Sequence, residues 1–146
     1  MTDSQVCVDS NLVLKLAVLE EDSKRAQERW EHWARQGTEV VAPPLLWYEV
    51  TSVLRNRAHR GRLTLDESSE ALEALLSLNV SIISPSDLHR TAWKLAIQLD
   101  QPTAYDAHYL ALAQELDCPF WTADHRLYEA ARGTLAGVNL LAAKRA

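Results

Sequence analysis

The feature that most constrains this chain is the alternation of short apolar runs with longer segments of helical periodicity. Gln5 to Val8, Val40 to Ala42, Val80 to Ile83, Phe120 to Thr122 and Val138 to Leu141 show no helical period and are too short for buried helices. Runs of this kind are strands buried on both faces, which occur in parallel sheets covered above and below by helices. The segments between them supply those helices. Asn11 to Leu19 follows the first run, and Asp22 to Gln36 places Ala26, Trp30, Trp33 and Ala34 on one face before Gly37 ends it. Pro44 suits the first turn of a helix reaching about His59. Thr64 and Glu67 form a capping box ahead of Ala71, Leu72, Leu75 and Leu76. Ser84 as cap with Pro85 at the first position predicts a helix through Leu99, and Thr103 predicts a cap for Ala104 to Leu116. Asp124 begins a last helix to about Arg132. The expectation is α/β: a single three-layer domain over residues 1–146, with a mostly parallel central sheet of about five strands and helices on both faces.

In such a sheet every strand points the same way, so the loops after the strands gather at one edge, where ligands bind. Asp9 and Asp124 lie just past strand ends. Glu49 lies about one turn into the helix after the second strand, and Asp106 lies in the first turn of its own helix. Four acids from distant stretches can therefore approach one point. Two of them occupy costly positions. Glu49 sits among Leu46, Val50 and Val53, and Asp106 has Tyr109, Leu110 and Ala113 at helical spacing. A buried carboxylate without a partner costs several kcal/mol or takes up a proton. No lysine or arginine at helical spacing neutralises Glu49, so a bound cation is its natural partner. Each acid also has a purely structural explanation: Asp9 and Asp124 as helix caps, Asp106 answering the Thr103 hydroxyl, and Glu49 at the positive end of its helix.

An oxygen-only donor set favours Mg²⁺, with Mn²⁺ as substitute, over zinc. Such a cluster with open positions suits metal-assisted hydrolysis of phosphodiesters. Cys7 and Cys118 are far apart with no CxxC spacing, which argues against a thiolate zinc site and for two buried thiols. The longest apolar runs are interrupted by Lys15, Glu49 or Asp106, so no membrane span is expected. With no signal-peptide pattern at the start, the expectation is a soluble cytoplasmic protein. The net charge of −5 is unusual for a nucleic-acid binder. Positive charge is concentrated, however, at Arg55, Arg57, Arg60 and Arg62, which could touch RNA or simply offset a helix dipole. Arg126, next to Asp124, is a further phosphate contact candidate. Trp30, Trp33 and Trp47 fit core packing better than an exposed groove, and His108 is offset from Asp106 around its helix.

Four segments taken together resemble a known family: Val8-Asp9-Ser10-Asn11, Pro43-Pro44-Leu45-Leu46-Trp47-Tyr48-Glu49-Val50, Thr103-Ala104-Tyr105-Asp106-Ala107-His108-Tyr109-Leu110, and Trp121-Thr122-Ala123-Asp124. They resemble the PIN-domain ribonucleases, and most closely the VapC-type toxins of bacterial toxin–antitoxin pairs. The resemblance spans essentially the whole chain. It implies a Mg²⁺-dependent endoribonuclease with Asp9, Glu49, Asp106 and Asp124 as metal-binding and catalytic acids. It further implies that Ser10 and Thr122 are polar neighbours orienting ligands or water, with Thr103 a helix cap. A homodimer and inhibition by a cognate antitoxin protein are implied as well. Asp100-Gln101-Pro102 departs from the glycine-containing turn more usual there, and Asp100 adds an acid without an assigned role.

Two other functions compete. An aspartyl-phosphate enzyme would want a second acid where this chain has Asn11, or a late lysine near the site, which the late strand region lacks. A non-catalytic PIN-like module binding RNA or protein would ordinarily have lost acids, and all four are present.

Overall fold

The computed structural model describes residues 4–142. In chain order the elements are β1 (Gln5–Val8), α1 (Ser10–Leu14), α2 (Ser23–Gln36), β2 (Glu39–Ala42), α3 (Leu45–His59) and α4 (Leu65–Leu76). There follow β3 (Ser81–Ile82), α5 (Leu88–Gln98), α6 (Tyr105–Leu116), β4 (Phe120–Thr122), α7 (His125–Ala131) and β5 (Val138–Leu140). The strands pair in the order β3-β2-β1-β4-β5, and every pair is parallel. The apolar runs explain this. β1 and β2 are buried along nearly their whole length, as strands with helices on both sides must be. With right-handed crossovers, the chain's moves toward β3 place α1 to α4 on one face, and its moves toward β5 place α5 to α7 on the other.

The core lies where these layers meet. Leu12, Leu46 and Leu54 fill one side, Leu88, Leu110 and Leu112 the other, and Val6 and Val8 belong to β1 between them. Each such side chain stabilises the fold by about 1.5–3 kcal/mol through burial. Trp33 is buried, and Trp30 and Trp47 pack against the core, in keeping with the core reading of these tryptophans. The capping box is present: Thr64 Oγ1 accepts from the Glu67 amide at 3.0 Å, and Glu67 Oε1 accepts from the Thr64 amide at 2.9 Å. Gly37 ends α2 at φ +68°, the left-handed conformation that glycine adopts at least cost.

Four expectations need correction. The first helix is regular only to Leu14, after which tighter turns run to Val18. Ala34 is exposed, because the buried stripe of α2 narrows to Ala26 and Trp33 near its end. Ser84 does not cap α5. Pro85 instead opens a turn, its carbonyl accepting from the Leu88 amide, and the helix starts at Leu88 after Asp87. Thr103 does not cap α6 either, since the cap position falls one residue later at Ala104, which has no oxygen to offer. With Thr103 out of place, the capping-box explanation of Asp106 lapses. Among the described residues, no helix is long and apolar enough to cross a membrane.

Candidate active site

Asp9 is the residue at which β1 gives way to α1. Its extended backbone (φ −103°, ψ 175°) turns the carboxylate onto the open end of the helix, where Oδ1 accepts from the Leu12 amide at 3.1 Å. The adjacent strand β4 is in register with Val8 opposite Trp121, which brings Thr122 beside Asp9. The Thr122 hydroxyl donates to Asp9 Oδ2 at 2.5 Å and accepts from the Asp124 amide at 2.9 Å. One buried threonine thus ties together the two acids at the ends of neighbouring strands. Asp124 caps α7, its Oδ1 accepting from the amides of Arg126 (2.9 Å) and Leu127 (3.3 Å). The structural explanations of Asp9 and Asp124 as caps are therefore correct. They leave the functional one intact, because a capping carboxylate still presents a second oxygen.

Glu49 and Asp106 reach the same edge from α3 and α6. Glu49 Oε1 accepts from the Tyr109 phenol and from Ser10 Oγ at 3.3 Å. Tyr109 is fully buried and one turn past Asp106, so α6 contributes both an acid and the donor that steadies an acid on another helix. Tyr109 escaped the sequence reading, which placed it in a packing stripe with Leu110 and Ala113. The available signal was a phenol in an otherwise aliphatic stripe, since a buried Tyr hydroxyl needs a polar partner.

The electrostatics show that the acids face one another. Burial pushes the Asp9 carboxyl up from 3.8 to about 7, against the opposing pull of Thr122 and the Leu12 amide, and the charges of Asp106 and Asp124 raise it further. Asp106 is raised mainly by burial, then by Asp124 and Glu49, while the Arg126 cation lowers it. Tyr109 is held far above its ordinary value by burial and by Glu49, so its phenol remains a donor at any working pH. Asp106 thus links the other three, feeling Asp124 and Glu49 and acting with Asp124 on Asp9, and such a gathering of acids calls for a compensating charge.

The donor chemistry fits a hard divalent cation: carboxylate oxygens throughout, one of them pushed up to about 7 by burial and by the neighbouring acids. As the side chains stand, no three His, Cys, Asp or Glu residues among those described form an array that could hold a metal ion. The carboxylates of Asp9, Glu49 and Asp124 accept from protein donors instead, which is how mutually repelling carboxylates lower their energy.

The remaining candidates divide sharply. Ser10 and Thr122 both contact the acids. Arg126 acts on Asp106 from the first turn of α7. Arg55, Arg57 and Arg60 lie toward the far end of α3, about 9–17 Å along its axis from Glu49 at a helical rise of ~1.5 Å per residue, and Arg62 turns back there with its amide donating to the Arg57 carbonyl. Arg57 is there paired with Glu20. Asp100 follows α5 in a left-handed conformation (φ +53°), doing without the glycine usual in such a turn. It is not among the charges acting on Asp9 or Asp106. His108 turns to the Ala104 carbonyl and to His89, whose Nδ1 lies 2.8 Å from its Nε2. Cys7 is buried with its thiol donating to the Tyr109 carbonyl at 3.4 Å, whereas Cys118 is only half-buried.

Comparison with known proteins bears on the fold and the family. Ribonuclease VapC3 of Pyrobaculum aerophilum is 33% identical over 127 residues, covering 86% of this chain and 93% of its own length. Ribonuclease VapC9 of Mycobacterium tuberculosis is 38% identical over 85 residues, covering 58% of this chain and 65% of its own. Among solved structures, PAE2754 from Pyrobaculum aerophilum shares the fold with a TM-score of 0.65 at 22% identity, over 93% of this chain and 83% of that one. A toxin–antitoxin complex from Klebsiella pneumoniae contains a chain matching with a TM-score of 0.61 at 20% identity, over 91% of this chain and 94% of that one. The PIN domain pattern itself matches residues 6–133. That span runs from β1 through α7 and includes all four acids, and with it the chain belongs to the PIN domain family.

Proposed function

We propose that this protein is a Mg²⁺-dependent endoribonuclease that hydrolyses RNA phosphodiesters, acting as the toxin of a toxin–antitoxin pair. The observation that carries the reading is the buried Asp9 carboxylate, facing Asp106 and Asp124 at the carboxyl edge of the sheet and short of a positive partner. The ribonuclease names of the relatives and the toxin–antitoxin complex among the structural neighbours support it.

Asp9, Glu49, Asp106 and Asp124 would hold Mg²⁺, or Mn²⁺ in its place. When bound, the ion supplies Lewis acidity at phosphorus, hydroxide near neutral pH, and compensation for charge on the leaving 3′-oxygen. The chain's own groups do the rest. Thr122 fixes Asp9 and, through the Asp124 amide, the start of α7. Tyr109 and Ser10 hold Glu49 toward the same edge. Arg126 is the cation next to the acids and is available to an RNA phosphate. Asp9 and Asp106 keep their protons more tightly than ordinary carboxyls until a cation arrives, so loading the site releases protons.

The homodimer has support in an exposed apolar surface. His89, Trp93 and Ile97 share one stripe of α5, with Trp93 63% and Ile97 61% exposed. Tyr48 and Tyr105 line an adjoining cavity with His89. Trp93→Glu should turn a dimer into a monomer in sedimentation. An antitoxin is the expected inhibitor.

The reading is tested by sequencing RNA ends after brief expression of wild type and Asp106→Asn, together with cleavage in vitro. Mg²⁺- or Mn²⁺-dependent cuts that EDTA blocks and Asp106→Asn abolishes are expected. Undiminished biological potency of Asp106→Asn would instead favour the non-catalytic binding module.

A further inference from the structure

The arginines gathered at the end of α3 lie away from the acids, but a second set of basic residues lies along α2. Arg25, Arg29, His32 and Arg35 recur at spacings of four, three and three residues, which puts them on one face of a helix. That face is not packed into the core. It forms one wall of two adjoining cavities of 510 and 700 Å³, which share Arg29, His32 and Trp121. The other wall is β5, the edge strand of the sheet, with Asn139 in register with Trp121. The groove runs from Leu141 and Ala142, past the carboxyl end of β5, to Ser4 and Pro119 at the opposite edge. In a chain of net charge −5, the described lining of the groove carries Arg25, Arg29 and Arg35 against the carboxylate of Glu28, with Arg25 paired to Asp22 at 2.9 Å and Arg29 and Arg35 left to face the groove.

Its floor is aromatic as well as cationic. The Arg29 guanidinium lies over the Trp121 ring, 4.3 Å from its centroid, and Trp33 meets Trp121 in a T-shaped contact with centroids 6.0 Å apart. A guanidinium held on an indole is a fixed cationic plate on which a nucleobase can stack, while the neighbouring arginines meet phosphates. An acidic peptide would use the charges but would have little use for the plate, and since Leu141 is buried in the core, Leu140 is left as its main aliphatic anchor. Trp121 also immediately precedes Thr122, which holds Asp9. A strand lying in the groove would therefore run up to the edge where the acids converge.

We infer that the groove between α2 and β5 is a binding track for a single-stranded segment of RNA, sited beside the scissile position rather than at it. The inference rests on the ribonuclease reading above. It assigns substrate holding to Arg29 and Arg35, outside the acid cluster.

The test uses the full chain carrying Asp106→Asn, so that RNA survives, and a short fluorescein-labelled single-stranded RNA titrated across a range of salt. Adding Arg29→Glu with Arg35→Glu should weaken binding by at least about tenfold and lower the salt slope by roughly two. In otherwise wild-type protein the same pair should raise KM for a long RNA and leave cleavage of a dinucleotide unchanged. If the charge reversal impairs folding, as circular dichroism will report, Arg29→Gln with Arg35→Gln should weaken binding in the same direction by less. Unchanged RNA affinity and salt slope in a folded variant overturn the track while leaving the ribonuclease reading standing. Loss of binding to a polyglutamate peptide with RNA affinity intact makes the groove a protein site and overturns it too. Wild type that neither binds nor cuts any RNA removes the ribonuclease reading itself.

Discussion

Replacing Asp9 by Asn should make the metal-free protein more stable at alkaline pH, although it destroys the proposed site. Burial and the neighbouring acids raise Asp9 from 3.8 to about 7. The folded protein therefore holds a proton that the unfolded chain has already released between these values. Stability falls as pH rises through that window, and above about pH 7 the deficit is complete. At ~1.36 kcal/mol per tenfold change in proton affinity, the deficit is about 4 kcal/mol. Asn carries no charge and escapes it. It gives up one carboxylate acceptor, so the Thr122 hydroxyl loses a partner at a cost of about 1–2 kcal/mol. The net gain at pH 8 is then about 2 kcal/mol, or about 4–8 °C in Tm for a domain of this size. Near pH 5 the gain should shrink toward zero or reverse. Thermal melts in EDTA from pH 5 to 8.5 read this directly. With Mg²⁺ at a hundred times its Kd, wild type gains about 2.7 kcal/mol that the variant lacks, and the order of Tm values inverts. A difference between wild type and variant that stays flat across pH in EDTA would refute the placement of Asp9 in a buried, cation-deficient cluster.

Thr122→Val removes the hydroxyl joining Asp9 to the Asp124 amide; a loss of about 1–3 kcal/mol by denaturant unfolding and weaker Mn²⁺ binding by calorimetry are expected. Tyr109→Phe leaves Glu49 without its buried donor and should cost about 1–2 kcal/mol. It should also lower Mn²⁺ affinity by about tenfold, the scale of a lost ligand-orienting contact. Thr64→Ala, at the capping box away from the acids, should lower stability by about 1 kcal/mol while leaving cleavage unchanged, which separates folding effects from site effects.

The sheet and its strand positions are legible in the sequence, and so are Asp9 and Asp124 at the ends of two strands, whereas Glu49 and Asp106 stand out only as acids on apolar helix faces. Doubly buried strands leave unbroken apolar runs, and an acid at the end of such a run has few places to go. Ser84 and Thr103 misled for the opposite reason. Helix starts are decided by backbone turns, here by Pro85 and by the bend before Ala104, and a cap-forming residue nearby does not guarantee that the cap forms. Tyr109 was hidden by its company: a stripe of Leu and Ala reads as packing whatever hydroxyl it contains, and only the approach of α3 gives that hydroxyl a partner. The α2 groove was hidden in another way. Its basic residues are spaced plainly enough, but that no helix among the described residues covers that part of β4 and β5 is a property of topology.

The order of the central strands has a consequence for biosynthesis. β1 and β4 are neighbours in space, yet Asp9 and Thr122 are 113 residues apart along the chain. Contacts so distant in sequence form late, because the intervening loop must close first. A ribosome that has delivered β1 through α6 has produced Asp9, Glu49 and Asp106 but neither the threonine nor the aspartate that completes the cluster. The emerging polypeptide therefore cannot assemble its full set of acids until β4 and the start of α7 have been made.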